Sequence, residues 1–222
     1  MYTNEELIYH RGRHGYIKDL NKDLKENSLD AFSAAIRMGA TMIEFDARNS
    51  PCTPGMAVIA HDPLQIESTR LTVWKALSFI RGRCKVNIEI KDPSIADEII
   101  CRIDHMMTTG LWTLDQFIIS SFHHETACRV KAMRPPLAVG VIVDGVPCLS
   151  YLDTLYDRKI NNLHMECMNA DMDMQNGGRF MSRAKDLGMH IWVWTVNDLD
   201  TATRVKSWGA ERIFTDKPEL FQ

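Results

Sequence analysis

The chain has 222 residues, of which 45% are hydrophobic and 25% are charged, a composition that excludes disordered and collagen-like chains. Its 26 basic and 29 acidic residues leave a net charge of −3, so no long-range field would attract nucleic acid, and we expect no nucleic-acid partner. The longest stretch without a charged side chain, Asn49 to Ala60, is shorter than the ~20 apolar residues of a membrane-spanning helix. We therefore expect no membrane insertion.

The cysteines and the N-terminus indicate the compartment. Six cysteines occur without a Cys-x-x-Cys pair, which favours reduced thiols over a disulfide framework or a zinc site. The first six residues, Met1 to Glu6, are polar and acidic, whereas a secretory signal would be basic and then apolar. No linker, repeat or low-complexity tract divides the chain. These features predict a cytoplasmic protein with a single domain over residues 1–222.

Eight short runs rich in isoleucine, valine and phenylalanine predict strands. In chain order they are Leu7 to His10, Met42 to Ala47, Val86 to Lys91, Phe117 to Phe122, Leu137 to Val143, Asn162 to Met168, His190 to Val196 and Arg212 to Thr215. Segments with apolar residues three and four positions apart predict helices between these strands. They are Ser28 to Met38, Val73 to Ile80, Ile95 to Thr109, Glu125 to Met133, Leu149 to Arg158, Phe180 to Leu187 and Leu199 to Trp208.

The regular alternation of strands and helices predicts a closed parallel (β/α)8 barrel of the TIM type, with a doubly wound open sheet as the alternative. An additional strand-like run, Met56 to Asp62, follows the second strand directly, and two prolines and a glycine separate the two runs. We interpret this run as a β-hairpin extension at the rim of the barrel. The expected fold is therefore a compact α/β TIM barrel without an inserted domain.

Three carboxylates lie at the ends of predicted strands, where the active groups of such barrels are found. Glu44 and Asp46 point to one face of the second strand, because side chains of a strand alternate. If Glu89 of the third strand also points inward, a hard divalent cation would offset the repulsion among the three. Oxygen ligands favour Mg²⁺ or Ca²⁺ over zinc. The alternative is a structural network in which these carboxylates pair with nearby cations, namely Arg11, Arg48 or Lys91.

Two histidines and two cationic residues also lie at the ends of the predicted strands, near the three carboxylates. His10 and His61 each close an apolar run, and paired imidazoles are suited to taking and giving protons near neutral pH. Arg11 and Lys91 place fixed positive charge beside the expected metal, an arrangement that suits a phosphate oxyanion. Together these residues predict phosphodiester cleavage.

Motifs along the whole chain resemble the glycerophosphodiester phosphodiesterase family. The first half carries His10-Arg11-Gly12, Glu26-Asn27-Ser28, Ala31-Phe32, Gly39-Ala40, Ile43-Glu44-Phe45-Asp46, His61-Asp62 and Ile88-Glu89-Ile90-Lys91. The second half carries Ser121-Phe122, Trp194-Thr195-Val196-Asn197 and Thr215-Asp216-Lys217-Pro218. The resemblance implies a TIM barrel that acts as a phosphoric diester hydrolase on a small phosphodiester.

The resemblance also implies roles for individual residues. One divalent cation would be held by Glu44, Asp46 and Glu89, and His10 and His61 would be the acid and base. Arg11 and Lys91 would bind the phosphate. In the mechanism usual for the family, a substrate hydroxyl beside the diester attacks phosphorus in line, and the alcohol leaves. The cyclic phosphate that remains can be opened by water.

Two departures from the family pattern leave the substrate open. The large insertion that family members commonly carry after the His-Asp pair is missing after Asp62, as it is in the related sphingomyelinase D branch. The segment from Arg13 to Lys25 is long and basic, and either covers the site or is a solvated loop. Its basic residues are Arg13, Lys18, Lys22 and Lys25. The oligomeric state stays open.

Trp194 is expected to face the barrel mouth, where its ring could stack on a glycerol or sugar face. For Trp192 and Phe214, a packed barrel interior is an equally good interpretation. Three alternatives accompany the main hypothesis. One is a sugar-phosphodiester (agrocinopine-type opine) phosphodiesterase or synthase, and another is a sphingomyelinase D-like lyase that releases a cyclic phosphate. The third is an inactive barrel that serves as a binding module.

Overall fold

The computed structural model describes residues 2–17, 21–65 and 70–221. Within them the strands are β1 (Leu7–Tyr9), β2 (Gly15–Ile17), β3 (Lys22–Leu24), β4 (Met42–Asn49), β5 (Ala57–Ile59), β6 (Lys85–Ile90), β7 (Phe117–Ser121), β8 (Ala138–Val143), β9 (Asn162–Glu166), β10 (His190–Trp194) and β11 (Arg212–Thr215). The helices are α1 (Leu29–Arg37), α2 (Val73–Ile80), α3 (Ala96–Thr108), α4 (His124–Met133), α5 (Leu149–Asp157), α6 (Cys167–Gln175), α7 (Arg179–Asp186) and α8 (Leu199–Ser207).

Eight parallel strands form a closed barrel, in the order β1, β4, β6, β7, β8, β9, β10 and β11. The barrel closes because β1 pairs with β11 on one side, through Leu7 and Ile213, and with β4 on the other, through Tyr9 and Ile43. This closure confirms the predicted TIM barrel and rules out an open doubly wound sheet. Each predicted barrel strand corresponds to an observed one.

The helices pack their apolar faces on the outside of the barrel. In α1 the buried positions Ala31, Phe32, Ala34 and Ala35 form one face, and the Ser28 hydroxyl accepts a hydrogen bond from the Ala31 N–H at the helix start. Among the described residues, no helix is long and apolar enough to cross a membrane.

Helix α6 differs from the sequence prediction, which continued the sixth barrel strand to Met168. The strand ends at Glu166, and α6 begins at Cys167. Met168 and Met172 on this helix are exposed, so α6 has little apolar periodicity. Periodicity is the main helix signal in a sequence, and without it the sequence pattern predicts that Met168 continues the strand.

Two antiparallel hairpins project from the barrel. Strand β5 pairs with the end of β4, with Arg48 opposite Val58, which confirms the predicted hairpin extension. Strands β2 and β3 form a second hairpin inside the segment that was predicted to be a loop. Arg13 forms an ion pair with Glu219 there, whereas Lys18 lies outside the described residues.

The barrel interior changes character along its axis. An apolar cluster fills the end from which the strands start, and it consists of Ile8, Met42, Ile118, Trp192 and Phe214. Trp192 and Phe214 thus belong to the packed interior. Polar side chains follow these residues toward the ends of the strands. The apolar cluster is therefore the floor on which the polar groups of the mouth rest.

Candidate active site

Three carboxylates converge inside the barrel mouth. Asp46 of β4 is in register with Glu89 of β6, and Glu44 lies two residues before Asp46 on the same face. One oxygen from each of the three lies within 4.8 Å of the other two. All three side chains are buried. The parallel pairing of β4 and β6 is what places these residues together.

Two cations pair with these carboxylates. The Lys91 Nζ atom lies 3.2 Å from Asp46 Oδ1 and 2.5 Å from Glu89 Oε1. The Arg11 Nε atom lies 3.2 Å from Asp46 Oδ2. Arg48 instead pairs with Asp92. The alternative of a structural ion-pair network thus holds for Arg11 and Lys91 but not for Arg48.

The ion pairs do not satisfy all the carboxylate oxygens. Glu44 Oε1 is buried and accepts no hydrogen bond within the described part of the chain, whereas the buried oxygens Asp46 Oδ1 and Glu89 Oε1 are paired with the Lys91 ammonium. Buried carboxylate oxygens without donors are costly. These oxygens fit a hard divalent cation, because Mg²⁺ and Ca²⁺ take oxygen ligands.

The pKa shifts of the three carboxyl groups also support a bound cation. Burial, together with the charges of Asp46 and Glu89, raises the pKa of Glu44 well above its usual value. Burial also raises the pKa of Glu89, although Lys91 opposes the shift. For Asp46 the effect of burial is outweighed by Lys91 and Arg11, which lower its pKa. A bound cation would keep all three ionised.

His10 is held in one orientation at the end of β1. Its Nδ1 atom lies 2.7 Å from Asp216 Oδ1, and its Nε2 atom lies 4.0 Å from Glu44 Oε2. Burial raises the pKa of Asp216, but hydrogen bonds with His10 and His14 outweigh it and bring that pKa well below its usual value. Asn197 also donates to Asp216 Oδ2, at 2.8 Å. The Nε2 atom is therefore the one that faces the carboxylates.

His61 reaches the site from the hairpin extension that follows β4. Its Nδ1 atom lies 2.8 Å from Asp62 Oδ1, and its carbonyl oxygen accepts a hydrogen bond of 2.7 Å from Arg48 Nε. His10 and His61 line the same cavity of about 140 Å³. The two predicted acid-base residues are thus brought together although 50 residues separate them in the chain.

The backbone at Arg11 and Gly12 forms a turn that requires glycine at position 12. Arg11 has a φ of 56°, and its N–H donates to Glu44 Oε2 at 3.0 Å. Gly12 has a φ of +82°, and a Cβ atom there would lie 2.9 Å from the Phe32 ring. Asn27 supports the same turn, since its N–H donates to the Arg11 carbonyl and its Nδ2 donates to Asp46 Oδ2.

Trp194 stands on the opposite side of the cavity. Its Nε1 atom donates to the His164 carbonyl at 3.2 Å, and its ring meets Phe122 edge-on at 5.5 Å. Trp194, Phe122, Ile142 and Phe214 form an apolar side of the cavity that faces the charged groups. The placement of Trp194 at the mouth agrees with the sequence prediction.

Sequence reasoning did not assign four polar residues that the structure places here. Asn27 and Asp216 lie within quoted motifs, but their contacts with Asp46 and His10 depend on the folded chain. Asn87 and His164 also line the cavity. Strand alternation could have found them, because Asn87 is two residues before Glu89 and His164 is two residues before the end of β9.

A wider groove of about 500 Å³ adjoins the cavity at His61. Lys25, Glu26 and Arg70 are among its lining residues. The groove holds none of the three carboxylates, whereas Glu44 and Glu89 line the smaller cavity. The groove provides an open side through which a larger group could extend.

Comparisons with known proteins identify the family of the chain. The model of the glycerophosphoryl diester phosphodiesterase family matches residues 10–73 and 60–220. A glycerophosphodiester phosphodiesterase of Caldanaerobacter subterraneus subsp. tengcongensis is 24% identical over 96% of this chain and 94% of its own length.

Solved structures show the same fold. A glycerophosphodiester phosphodiesterase from Parabacteroides distasonis has a TM-score of 0.78 at 19% identity, covering 96% of this chain and 93% of that one. An Oleispira antarctica phosphodiesterase, solved with the product sn-glycerol-3-phosphate, has a TM-score of 0.77 at 22% identity, covering 96% and 94%. The family match over nearly the whole chain, on a barrel with this mouth, shows that the protein belongs to the glycerophosphoryl diester phosphodiesterase family and is a phosphoric diester hydrolase.

Proposed function

We propose that the protein is a metal-dependent glycerophosphodiester phosphodiesterase that uses His10 and His61 as its acid and base. The observation that carries the proposal is the cluster of three buried carboxylates, in which Glu44 Oε1 accepts no hydrogen bond from the described residues, beside two histidines that line one small cavity. The product complex of the Oleispira antarctica relative supports sn-glycerol-3-phosphate as the product class.

Glu44, Asp46 and Glu89 would hold one divalent cation, Mg²⁺ or Ca²⁺. When bound, the cation would neutralise the carboxylates and stabilise negative charge on the phosphate oxygens. Lys91 and Arg11 now pair with these carboxylates. With a cation in place, their charges are available to the phosphate of the substrate, which is the role proposed for both.

Proton transfer is assigned to the Nε2 atoms of the two histidines. The Nδ1 atom of His10 is bound by Asp216, and that of His61 by Asp62, which leaves each Nε2 atom for the substrate. One imidazole takes the proton of a substrate hydroxyl as its oxygen forms a bond to phosphorus. The other gives a proton to the alcohol oxygen as its bond to phosphorus breaks. The products are the free alcohol and a cyclic phosphate, which water then opens.

The opposite side of the cavity would orient the carbon skeleton of the substrate. Trp194 and Phe122 present apolar surface there, and a Trp ring can cover the C–H face of a glycerol unit. A cavity of about 140 Å³ suits a small alcohol. The leaving alcohol would extend into the adjoining groove.

The decisive experiment is hydrolysis of glycerophosphodiesters by the purified protein with Mg²⁺ or Ca²⁺. We expect release of sn-glycerol 3-phosphate, and we expect EDTA to abolish it and added cation to restore it. Phosphorus NMR of the products separates hydrolysed from cyclic phosphate, and a stable cyclic product would favour the lyase alternative. Turnover that persists after metal removal would contradict the metal assignment, and no turnover of any diester would favour a binding module.

A further inference from the structure

His164 of β9 is a buried histidine whose ring has no polar partner. The residue is 1% exposed, and neither Nδ1 nor Nε2 has a hydrogen-bond partner among the described residues. The ring stacks on Trp192, with centroids 4.6 Å apart and planes at 12°, and lies 5.1 Å from the Phe214 ring. Native structures rarely leave two buried ring nitrogens unpaired, so a partner beyond the described residues is expected.

The neighbouring strand makes room for this ring. Gly140 lies in the middle of β8, where a glycine weakens a strand and where no positive φ requires it. A Cβ atom at Gly140 would lie 2.8 Å from His164 Nε2. The glycine therefore allows the imidazole to lie close against the strand, which points to a specific position for the ring rather than to chance packing.

Asn87 of β6 offers a second unpaired group in the same cavity. Its Nδ2 atom donates to Ser120 Oγ at 2.9 Å, whereas its Oδ1 atom has no hydrogen-bond partner among the described residues. Asn87 is 1% exposed. His164 and Asn87 both line the cavity of about 140 Å³ that also holds His10, Glu44 and Glu89.

The chemistry of the two groups selects the kind of ligand. Burial lowers the pKa of His164 to about 3, so its imidazole is neutral and carries one donor and one acceptor. Asn87 Oδ1 is an acceptor. A hydroxyl group, which both donates and accepts, matches this pair, whereas a phosphate oxygen would meet an acceptor at Asn87. The rings of Trp194 and Phe214, which also line the cavity, suit the carbon atoms of an alcohol.

The position in the barrel decides which part of the substrate is bound. Asn87 lies one inward-facing position below Glu89, toward the apolar cluster that closes the barrel interior. A group bound at this depth must be small, and the leaving alcohol must point toward the open groove at His61. The alcohol that stays on phosphorus is therefore the one that reaches His164 and Asn87.

We propose that His164 and Asn87 form a polyol subsite that binds the terminal hydroxyl of the alcohol retained on phosphorus. The proposal rests on the proposed function and extends it, because it makes the enzyme selective for diesters of a triol over diesters of a diol. The attacking hydroxyl, beside the phosphate, is a different group and is not bound by this subsite.

The test compares two substrates with one leaving group, glyceryl 4-nitrophenyl phosphate and 2-hydroxypropyl 4-nitrophenyl phosphate. Both carry the attacking hydroxyl, and only the first carries the terminal one. Each kcat/KM value is divided by the rate of alkaline cleavage of the same compound. This division corrects for the difference in intrinsic reactivity between the two compounds. We expect wild-type kcat/KM to favour the glyceryl diester by about 10- to 100-fold. Equal values would overturn the subsite, and would indicate that ordered water occupies it.

A variant of His164 tests whether this residue causes the preference for the glyceryl diester. His164→Phe preserves an aromatic ring on Trp192 but removes both nitrogens, and we expect it to bring the substrate ratio close to one. The matched control is His105→Phe, since His105 also packs on a tryptophan, Trp74, with centroids 4.7 Å apart, but lies on α3 outside the cavity. The control should keep the wild-type ratio, and an unchanged ratio in His164→Phe would refute the assignment.

A binding measurement removes the dependence on turnover and on the folding of a variant. Calorimetry of the wild-type protein with sn-glycerol 3-phosphate and with 2-hydroxypropyl phosphate should show about tenfold tighter binding of the first. Equal affinities would contradict the subsite. If wild-type protein hydrolyses neither diester, the proposed function fails, whereas hydrolysis of both at equal rates removes only the subsite.

Discussion

The two sides of the cavity are built in different ways. The charged wall comes from the first half of the chain and consists of His10, Arg11, Glu44, His61, Glu89 and Lys91. The aromatic wall comes from the second half and consists of Phe122, Ile142, His164, Trp194 and Phe214. The proposed function assigns proton transfer, metal binding and phosphate binding to the charged wall, whereas the aromatic wall offers shape and one neutral imidazole. On this proposal the barrel separates chemistry from recognition.

Each wall contains polar atoms that the described residues leave unpaired. On the charged wall, Glu44 Oε1 accepts no hydrogen bond, and on the aromatic wall both ring nitrogens of His164 are without a partner in the residues described. Carboxylate oxygens favour a cation, and a neutral imidazole favours a hydroxyl. The difference between the walls indicates that one cavity can bind two unlike groups, a cation on the charged wall and a hydroxyl on the aromatic wall.

The largest loss of activity is expected from substitutions on the charged wall. His10→Ala or His61→Ala should lower kcat by about 10²- to 10⁴-fold, because an acid or base is lost from the reaction. The measurement is steady-state kinetics on a glycerophosphodiester, with circular dichroism to show that the fold is retained. His190→Ala is the control, since His190 is a surface residue of β10. A loss of less than tenfold in either variant would remove that histidine from the mechanism.

A smaller loss of activity should follow from removing the charge of Asp216, a residue of the second half of the chain that contacts His10 on the charged wall. Asp216→Asn removes the charged partner of His10 Nδ1, and we expect kcat to fall by about 100-fold with little change in KM. Glu211→Gln is a matched control, because Glu211 Oε2 lies 2.8 Å from His190 Nδ1 on the surface. A fall in KM and kcat together, or equal effects in both variants, would argue against a positioning role.

The smallest effect concerns stability and the aromatic wall. His164 has a usual pKa of 6.5 and a folded pKa of about 3, so the unfolded chain binds the proton first and stability falls as the pH drops from 6.5 toward 3. His164→Phe removes this contribution of His164 to the pH dependence of stability. Between pH 7 and pH 5 we expect the variant to lose about 2 kcal/mol less free energy of unfolding than wild type.

Urea unfolding of both proteins at the two pH values measures this difference. His105→Phe is the control for replacing a histidine with phenylalanine outside the cavity, because His105 lies on the exposed side of α3. Equal losses in wild type and His164→Phe would show that His164 is protonated in the folded protein, and would contradict the neutral imidazole required on the aromatic wall.

Much of the architecture was predictable because it follows from periodicity. The eight apolar runs each became a barrel strand, and the alternation of Glu44 and Asp46 on β4 correctly placed both inside. The hairpin β2–β3 was not predicted, since its strands have three residues each and mixed burial. Helix α6 was missed because Met168 and Met172 face solvent. Short or weakly amphipathic elements carry little signal in a single sequence.

The sequence by itself determined which residue types reach the barrel mouth, because strand alternation and the polar ends of apolar runs are local properties. Only the tertiary structure decided which of them meet. The contact of His10 with Asp216 spans 206 positions, and it exists because β1 and β11 are neighbours in the closed barrel. The unpaired nitrogens of His164 were likewise invisible in the sequence, since a missing hydrogen bond depends on what every surrounding strand places nearby.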